Sequence, residues 1–186
     1  LTQRAIGHTA RRFVLFGLES SLQEADAENL PFEDETFEAV YSWGVLHHSP
    51  DTARAIQEVR RVLKSGSHFK IMIYHKFSIV GFMLWFRYGL LKLRPFTSLN
   101  TIYDRYLESP GTKAYSRTEI PELFQGLEIE SIETPLNHGD LLTSDVGQRH
   151  RGPLLTIARL LWPRWFLRTF FPQSGLEMMI TGYKAE

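Results

Sequence analysis

Apolar positions along the chain change their period several times, and each change predicts an element. Ile6, Ala10, Phe13 and Val14 fall at helical spacing, and Gly17 with Leu18 behind it reads as that helix's C-terminal stop. Ser21 to Ala25 reads as a short strand ending at Asp26, after which Leu30-Pro31-Phe32 turns the chain and Glu33-Asp34-Glu35 forms a solvated acidic loop. Phe37 to Ser42 reads as the next strand, a buried one. Asp51 is placed to cap a helix that carries Ala55, Ile56, Val59, Val62 and Leu63 on one face and closes at Ser65-Gly66. Phe69 to Tyr74 is apolar at almost every position, the pattern of a strand covered on both faces. Helix and strand alternate throughout this half, which predicts a parallel α/β sheet.

The second half departs from that rhythm. Phe77 to Phe96 is strongly apolar yet contains Arg87, Lys92 and Arg94, and Pro153 to Phe171 repeats the mixture with Arg159, Arg164 and Arg168 beside Trp162 and Trp165. A charge near the middle of the first run argues against a membrane span. Three readings stay open for it: lid helices over a pocket, an interfacial helix, or a dimer face. Between these runs, Thr97 to Ser116 is polar and aromatic with a turn at Ser109-Pro110-Gly111. Ser116 can cap a short helix over Glu119 to Phe124, Leu127 to Glu133 reads as an edge strand, and Leu176 to Tyr183 as the last strand.

Composition narrows the function without naming it. A length of 186 residues with 43% hydrophobic and 23% charged residues is that of one globular domain. The formal net charge is zero, so no global field argues for a nucleic-acid partner. No cysteine is present, which excludes disulfides, thiolate metal sites and a cysteine nucleophile, and suits a cytoplasmic location.

The segment Asp26-Ala27-Glu28-Asn29-Leu30-Pro31-Phe32 is followed, one acidic turn later, by Phe37-Glu38-Ala39-Val40-Tyr41-Ser42-Trp43-Gly44-Val45-Leu46-His47-His48. Together they resemble the middle of the class I S-adenosylmethionine-dependent methyltransferases, in particular the small-molecule branch. Glu38 stands where that family usually has Asp, and Lys64-Ser65-Gly66-Ser67 replaces its more common Lys-Pro-Gly-Gly turn. The resemblance implies an α/β fold: a Rossmann-like methyltransferase sheet of order 3-2-1-4-5-7-6, mostly parallel with an antiparallel last strand, plus a helical lid. The family opens with a glycine-rich loop after its first strand, and no such loop lies upstream of Asp26. The chain also starts at Leu1 rather than Met, so the expectation is an N-terminally truncated fragment lacking the first two strands and incomplete for cofactor binding. Residues 1–76 would form a partial cofactor-binding core, 77–115 a helical lid, and 116–186 the C-terminal part of the core with a loop and helix insertion.

The same resemblance assigns S-adenosylmethionine as cofactor, with Asp26 accepting from the adenine amine, Ala27 against the ring, and Trp43, Gly44 and Val45 along the methionine arm. The plainer reading of Asp26 is a turn cap, and that of Trp43 a core anchor. His47 and His48 are the candidate catalytic residues, because imidazole titrates near neutral pH. Two adjacent histidines point to opposite sides, which argues against a metal site. Tyr74, His75, Tyr115, His138 and Arg149 are candidate substrate contacts, the last two on a polar loop from Asn137 to Gly152 that is long for mere connection. The expected partner is a small, bulky apolar molecule with a polar handle, with peripheral membrane contact as a further possibility. The competing function is a methyltransferase-like binding or membrane-docking module without catalysis. An NAD-type dehydrogenase would itself need a glycine loop and has no hydride-transfer residue set here.

Overall fold

The computed structural model describes residues 3–144, 156 and 159–186. Among them a four-stranded sheet runs in the order β1-β2-β4-β3, with β1 Phe37–Trp43, β2 Leu63–Tyr74, β3 Glu128–Glu133 and β4 Glu177–Tyr183. β1 and β2 are parallel, whereas β4 runs antiparallel to both its neighbours, β2 and β3. Three strands therefore share one direction and the last in sequence opposes them, as the Rossmann-like methyltransferase sheet requires. The helices are α1 Gln3–Phe16, α2 Thr52–Val62, α3 Ile79–Tyr88, α4 Leu99–Tyr106, α5 Ile120–Leu123 and α6 Arg164–Phe170.

β2 is the spine because its side chains feed both layers. Phe69, Ile71 and Ile73 point into a cluster with Ala55, Ile56 and Val59 of α2, Ile120 of α5, and Met178 and Ile180 of β4. Met72 and Tyr74, on the opposite face, pack with Leu84 of α3 and with Ile102 and Tyr103 of α4. Two-sided burial explains the near-continuous apolar run, broken only at exposed Lys70. α2 is placed by Asp51, whose carboxylate accepts from Arg54 N at 3.0 Å, and by complete burial of Ala55 and Ile56. Each large side chain so buried stabilises the layer by about 1.5–3 kcal/mol.

Several expectations need correction. Ser21 to Ala25 is not a strand: it lies exposed to half-exposed, with no ladder partner among the described residues, and only an isolated bridge joins Asp26 to Asn29. An edge segment without a neighbour has nowhere to send its backbone hydrogen bonds, so it stays irregular. β1 forms as expected but is not buried: Tyr41 is 65% and Trp43 43% exposed, and the two rings stack along the open face at 6.2 Å. Trp43 is thus no core anchor. The helix before β2 ends directly at Val62 rather than at Ser65-Gly66. α4 lies in the polar, aromatic stretch Thr97 to Ser116, ahead of the turn expected at Ser109-Pro110-Gly111. α1 ends at Gly17 (φ 63°) with Leu18 N reaching Phe13 O at 2.8 Å, the anticipated C-terminal stop; none of its residues is buried. The stretch beginning at Pro153 lies partly outside the described residues; of the described ones, 159–161 are helical before the break at Pro163, and α6 follows it.

Candidate functional site

The site is built where the parallel strands end. β1 leaves the sheet through Gly44, whose φ of 69° is a left-handed conformation that glycine adopts without strain, and whose N–H stays tied to Met72 O at 3.2 Å. That turn feeds a 3₁₀ turn, Leu46–His48. Trp43 and Val45, on either side of Gly44, remain 43% and 47% exposed. One residue upstream, the Ser42 hydroxyl oxygen is buried with no hydrogen-bond partner.

The segment around Asp26 is stitched against this loop. The Glu28 carboxylate accepts from Asp51 N at 2.7 Å and from the Ser49 hydroxyl, while Arg54 Nε donates to Glu28 O at 3.2 Å. Behind it, buried Glu58 accepts from Leu30 N at 2.8 Å, and Arg61 donates to Leu30 O, Phe32 O and Glu58. The Arg61 hydrogen bonds hold the Glu58 carboxyl below its ordinary range although burial opposes this. Asp26 itself is exposed, and its Oδ1 accepts from Glu28 N at 3.0 Å, the turn contact of the plainer reading. Ala27 packs half-buried against the inner cluster.

The two imidazoles do not point to opposite sides as expected but pack on one another, and they differ in exposure. His47 is fully buried, packed at a tilt against Tyr74 at 4.1 Å and His48 at 4.2 Å, with neither ring nitrogen hydrogen-bonded. Burial, then His48 and Lys113, push its pKa down to about 3, so the ring is neutral. His48 is half-exposed; Nε2 lies 3.6 Å from Glu108 Oε2 and Nδ1 3.4 Å from Thr112 Oγ1.

His48 opens onto a cavity of about 560 Å³ whose other walls include Lys76 at the end of β2, Asp104 of α4, and Thr112, Tyr115 and Glu119. Residues 112–115 form that wall because Tyr115 N donates to Tyr74 O and Lys76 N to Tyr115 O, both at 2.8 Å, while Lys113 N reaches His47 O at 3.2 Å. Lys76 Nζ bridges both Glu119 oxygens at 2.8 and 2.7 Å. Burial alone would raise the Glu119 pKa; its hydrogen bonds from Lys76 and Ser116 outweigh that and lower it. The α3–α4 cover is anchored by Tyr103, whose hydroxyl lies 3.0 Å from His75 O and 2.8 Å from Ser78 Oγ.

The structure therefore brings together His48 and Tyr115 in the cavity, with Tyr74 and His47 packed behind it. His75 is buried beside Tyr115 with Nδ1 3.3 Å from Gly175 O, a position that ties β2 to the segment before β4. His138 is exposed, turned to Thr143 Oγ1 at 2.9 Å, and does not line this cavity. Arg149 lies outside the described residues. Glu28, Glu58, Arg61, Glu108 and Thr112 escape sequence reading because each also has a partner far along the chain. The one local signal was Glu119, three residues after the Ser116 cap. No group of His, Asp and Glu among the described residues forms a metal site.

Residues 3–71 match the family model of a methyltransferase domain. A phthiotriol/phenolphthiotriol dimycocerosates methyltransferase of Mycobacterium tuberculosis is 41% identical over 69 residues, covering 37% of this chain and 25% of that protein. A ubiquinone/menaquinone biosynthesis C-methyltransferase of Desulfotalea psychrophila is 33% identical over 113 residues, covering 56% of this chain and 44% of that protein. The chain thus spans less than half the length of these curated relatives. A crystal structure of an S-adenosylmethionine-dependent methyltransferase from Thermotoga maritima shares the fold with a TM-score of 0.55 at 19% identity, covering 95% of this chain and 69% of that one.

Proposed function

We propose, from its matched segment and its fold, that the chain is part of a class I S-adenosylmethionine-dependent methyltransferase, and that it methylates a small molecule held in the cavity beside His48. The observation that carries this reading is the position of His48. It lies at the end of the short turn that begins at Gly44 and forms part of the cavity wall, so cofactor loop and acceptor pocket share one residue as their boundary.

S-adenosylmethionine supplies an electrophilic methyl group, so the protein's task is alignment and, for an O–H or N–H acceptor, removal of a proton. The residues present suit one side of that cofactor. Asp26 offers an exposed carboxylate, Ala27 a small flank, and the Gly44 turn a backbone that a ligand can approach closely between Trp43 and Val45. The orphaned Ser42 hydroxyl beside this turn fits a polar ligand there. β1 pairs only with β2 among the described residues, which supports the expectation that a further strand along its open edge completes the cofactor wall. In the cavity, the acceptor's polar end meets the Lys76–Glu119 pair and Asp104, while its apolar part lies on Pro50, Ala114 and Tyr115. His48 takes the acceptor's proton as the acceptor lone pair forms the new bond to carbon, and the Glu108 carboxylate steadies the resulting imidazolium.

The test uses labelled S-adenosylmethionine with a small-molecule extract as acceptor source. His48→Gln lowers methyl transfer about 100-fold at unchanged cofactor affinity. Undiminished transfer removes His48 as base. Label recovered only in the aqueous phase contradicts the apolar acceptor.

A further inference from the structure

Part of the molecular surface is aromatic, aliphatic and basic at once. On α3, buried Leu84 and half-buried Val80, Trp85 and Tyr88 face the inner cluster. This leaves Phe82 and Phe86, one turn apart on the other side, each 51% exposed. The chain continues through Leu93, 91% exposed, and Phe96, 99% exposed. Leu93 holds a φ of 56°, a left-handed conformation that is strained for a residue with a β-carbon, and its aliphatic side chain stands in water. Arg87, Lys92 and Arg94 are exposed along the same stretch, and no Asp or Glu occurs from Phe77 to Tyr103.

α6 repeats the composition. Trp165 is 74% and Phe170 59% exposed, Arg168 lies exposed between them, and no acidic residue occurs from Arg159 to Leu176. The two parts meet where Ile79 N, opening α3, donates to Ser174 O at 2.9 Å, just past the end of α6. The chain has a formal net charge of zero, so this basic excess is segregated rather than a property of the whole molecule.

We propose that this surface docks on an anionic phospholipid bilayer, with Phe82, Phe86, Leu93, Phe96 and Trp165 in the boundary between headgroups and acyl chains. Arg87, Lys92, Arg94 and Arg168 then face lipid phosphates. Both halves of the composition match that occupant: aromatic rings favour the interfacial layer, and the cations favour its negative potential. A second copy of the chain matches neither, because a two-fold pairing of this surface sets like charges against each other with no carboxylate between them. Docking is peripheral, since no described helix is long and apolar enough to cross a membrane. The proposal does not depend on the catalytic reading.

The experiment is co-sedimentation of the full chain with phosphatidylcholine–phosphatidylglycerol vesicles and with pure phosphatidylcholine vesicles, at low and high salt. The protein pellets with the anionic vesicles, releases as salt rises, and stays in solution with the neutral ones. Leu93→Asp with Phe96→Asp, and separately Arg87→Glu with Arg94→Glu, each lower the bound fraction about tenfold; Glu122→Ala on α5 leaves it unchanged. All five positions are exposed, and a circular-dichroism melt at the wild-type temperature verifies folding. Failure to pellet with anionic vesicles, equal pelleting with neutral ones, or wild-type binding by both double variants overturns the proposal. So does a dimer in sedimentation velocity that Leu93→Asp with Phe96→Asp dissolves while vesicle binding persists, which would assign these side chains to a second copy.

Discussion

Adjacent imidazoles at 47 and 48 show how much one turn of backbone decides. The 3₁₀ turn sends His47 inward against Tyr74, where burial keeps it neutral, and His48 outward to Glu108 and Thr112. The expectation that adjacent histidines point to opposite sides fails, because a 3₁₀ turn rotates consecutive residues by only about 120° and the two rings pack at 4.2 Å; which ring is buried depends on Tyr74, a residue on another strand. The consequence is measurable as pH dependence. The folded pKa of His47 is about 3 against an ordinary 6.5, so between those values the unfolded chain binds a proton that the folded chain refuses. Stability from this group is complete above about pH 6.5 and falls as pH drops, by at most about 1.4 kcal/mol per pH unit. His47→Phe keeps the ring contact and removes the titration. Denaturant melts at about pH 7 and about pH 5 find a smaller acid loss in that variant than in the wild type; equal losses contradict a neutral buried His47.

At the scale of elements, local signals were legible wherever a helix or strand carries its own instructions. Asp51 caps α2, Ser116 and Glu119 pair across the turn before α5, and the apolar run at Phe69 to Tyr74 belongs to a strand buried on both faces. Elements that depend on distant partners were not legible. Ser21 to Ala25 has strand-like composition but no neighbour to pair with. The Asp26 loop is positioned by Glu58 and Arg61, about thirty residues downstream. The cover over β2 was legible only in part: the apolar stretch Phe77 to Phe96 contains α3, whereas α4 comes from the polar, aromatic stretch after it, and the two helices meet at Gly81 and Tyr103. A β-carbon at Gly81 would lie 2.2 Å from the Tyr103 hydroxyl oxygen. Gly81→Ala therefore forces the two helices apart and costs about 1–3 kcal/mol. Lowered thermal stability with faster hydrogen exchange in α3 and α4 than in β2 is the expected result; a wild-type melt and exchange pattern refutes the close crossing as an anchor.

For the molecule as a whole, the sheet order β1-β2-β4-β3 and the reversed last strand were expected from the resemblance and are present. Two features of the observed fold were not foreseen. β1 exposes Tyr41 and Trp43 on one face, and α1 buries none of its side chains. Hydrophobic pattern announces that a strand has an apolar face but does not say what covers it.

The central claim is that Asp26 and the Gly44 turn serve one nucleoside ligand, and Asp26 offers the sharpest test because it has a competing structural role. S-adenosylmethionine is titrated calorimetrically into the full-length protein and its Asp26→Ala variant, with thermal melts of both. A cofactor contact predicts affinity about tenfold weaker in the variant, the loss of about 1.4 kcal/mol expected for a hydrogen bond to a charged acceptor. A lowered melting temperature with unchanged affinity would leave Asp26 as a turn cap and contradict the account.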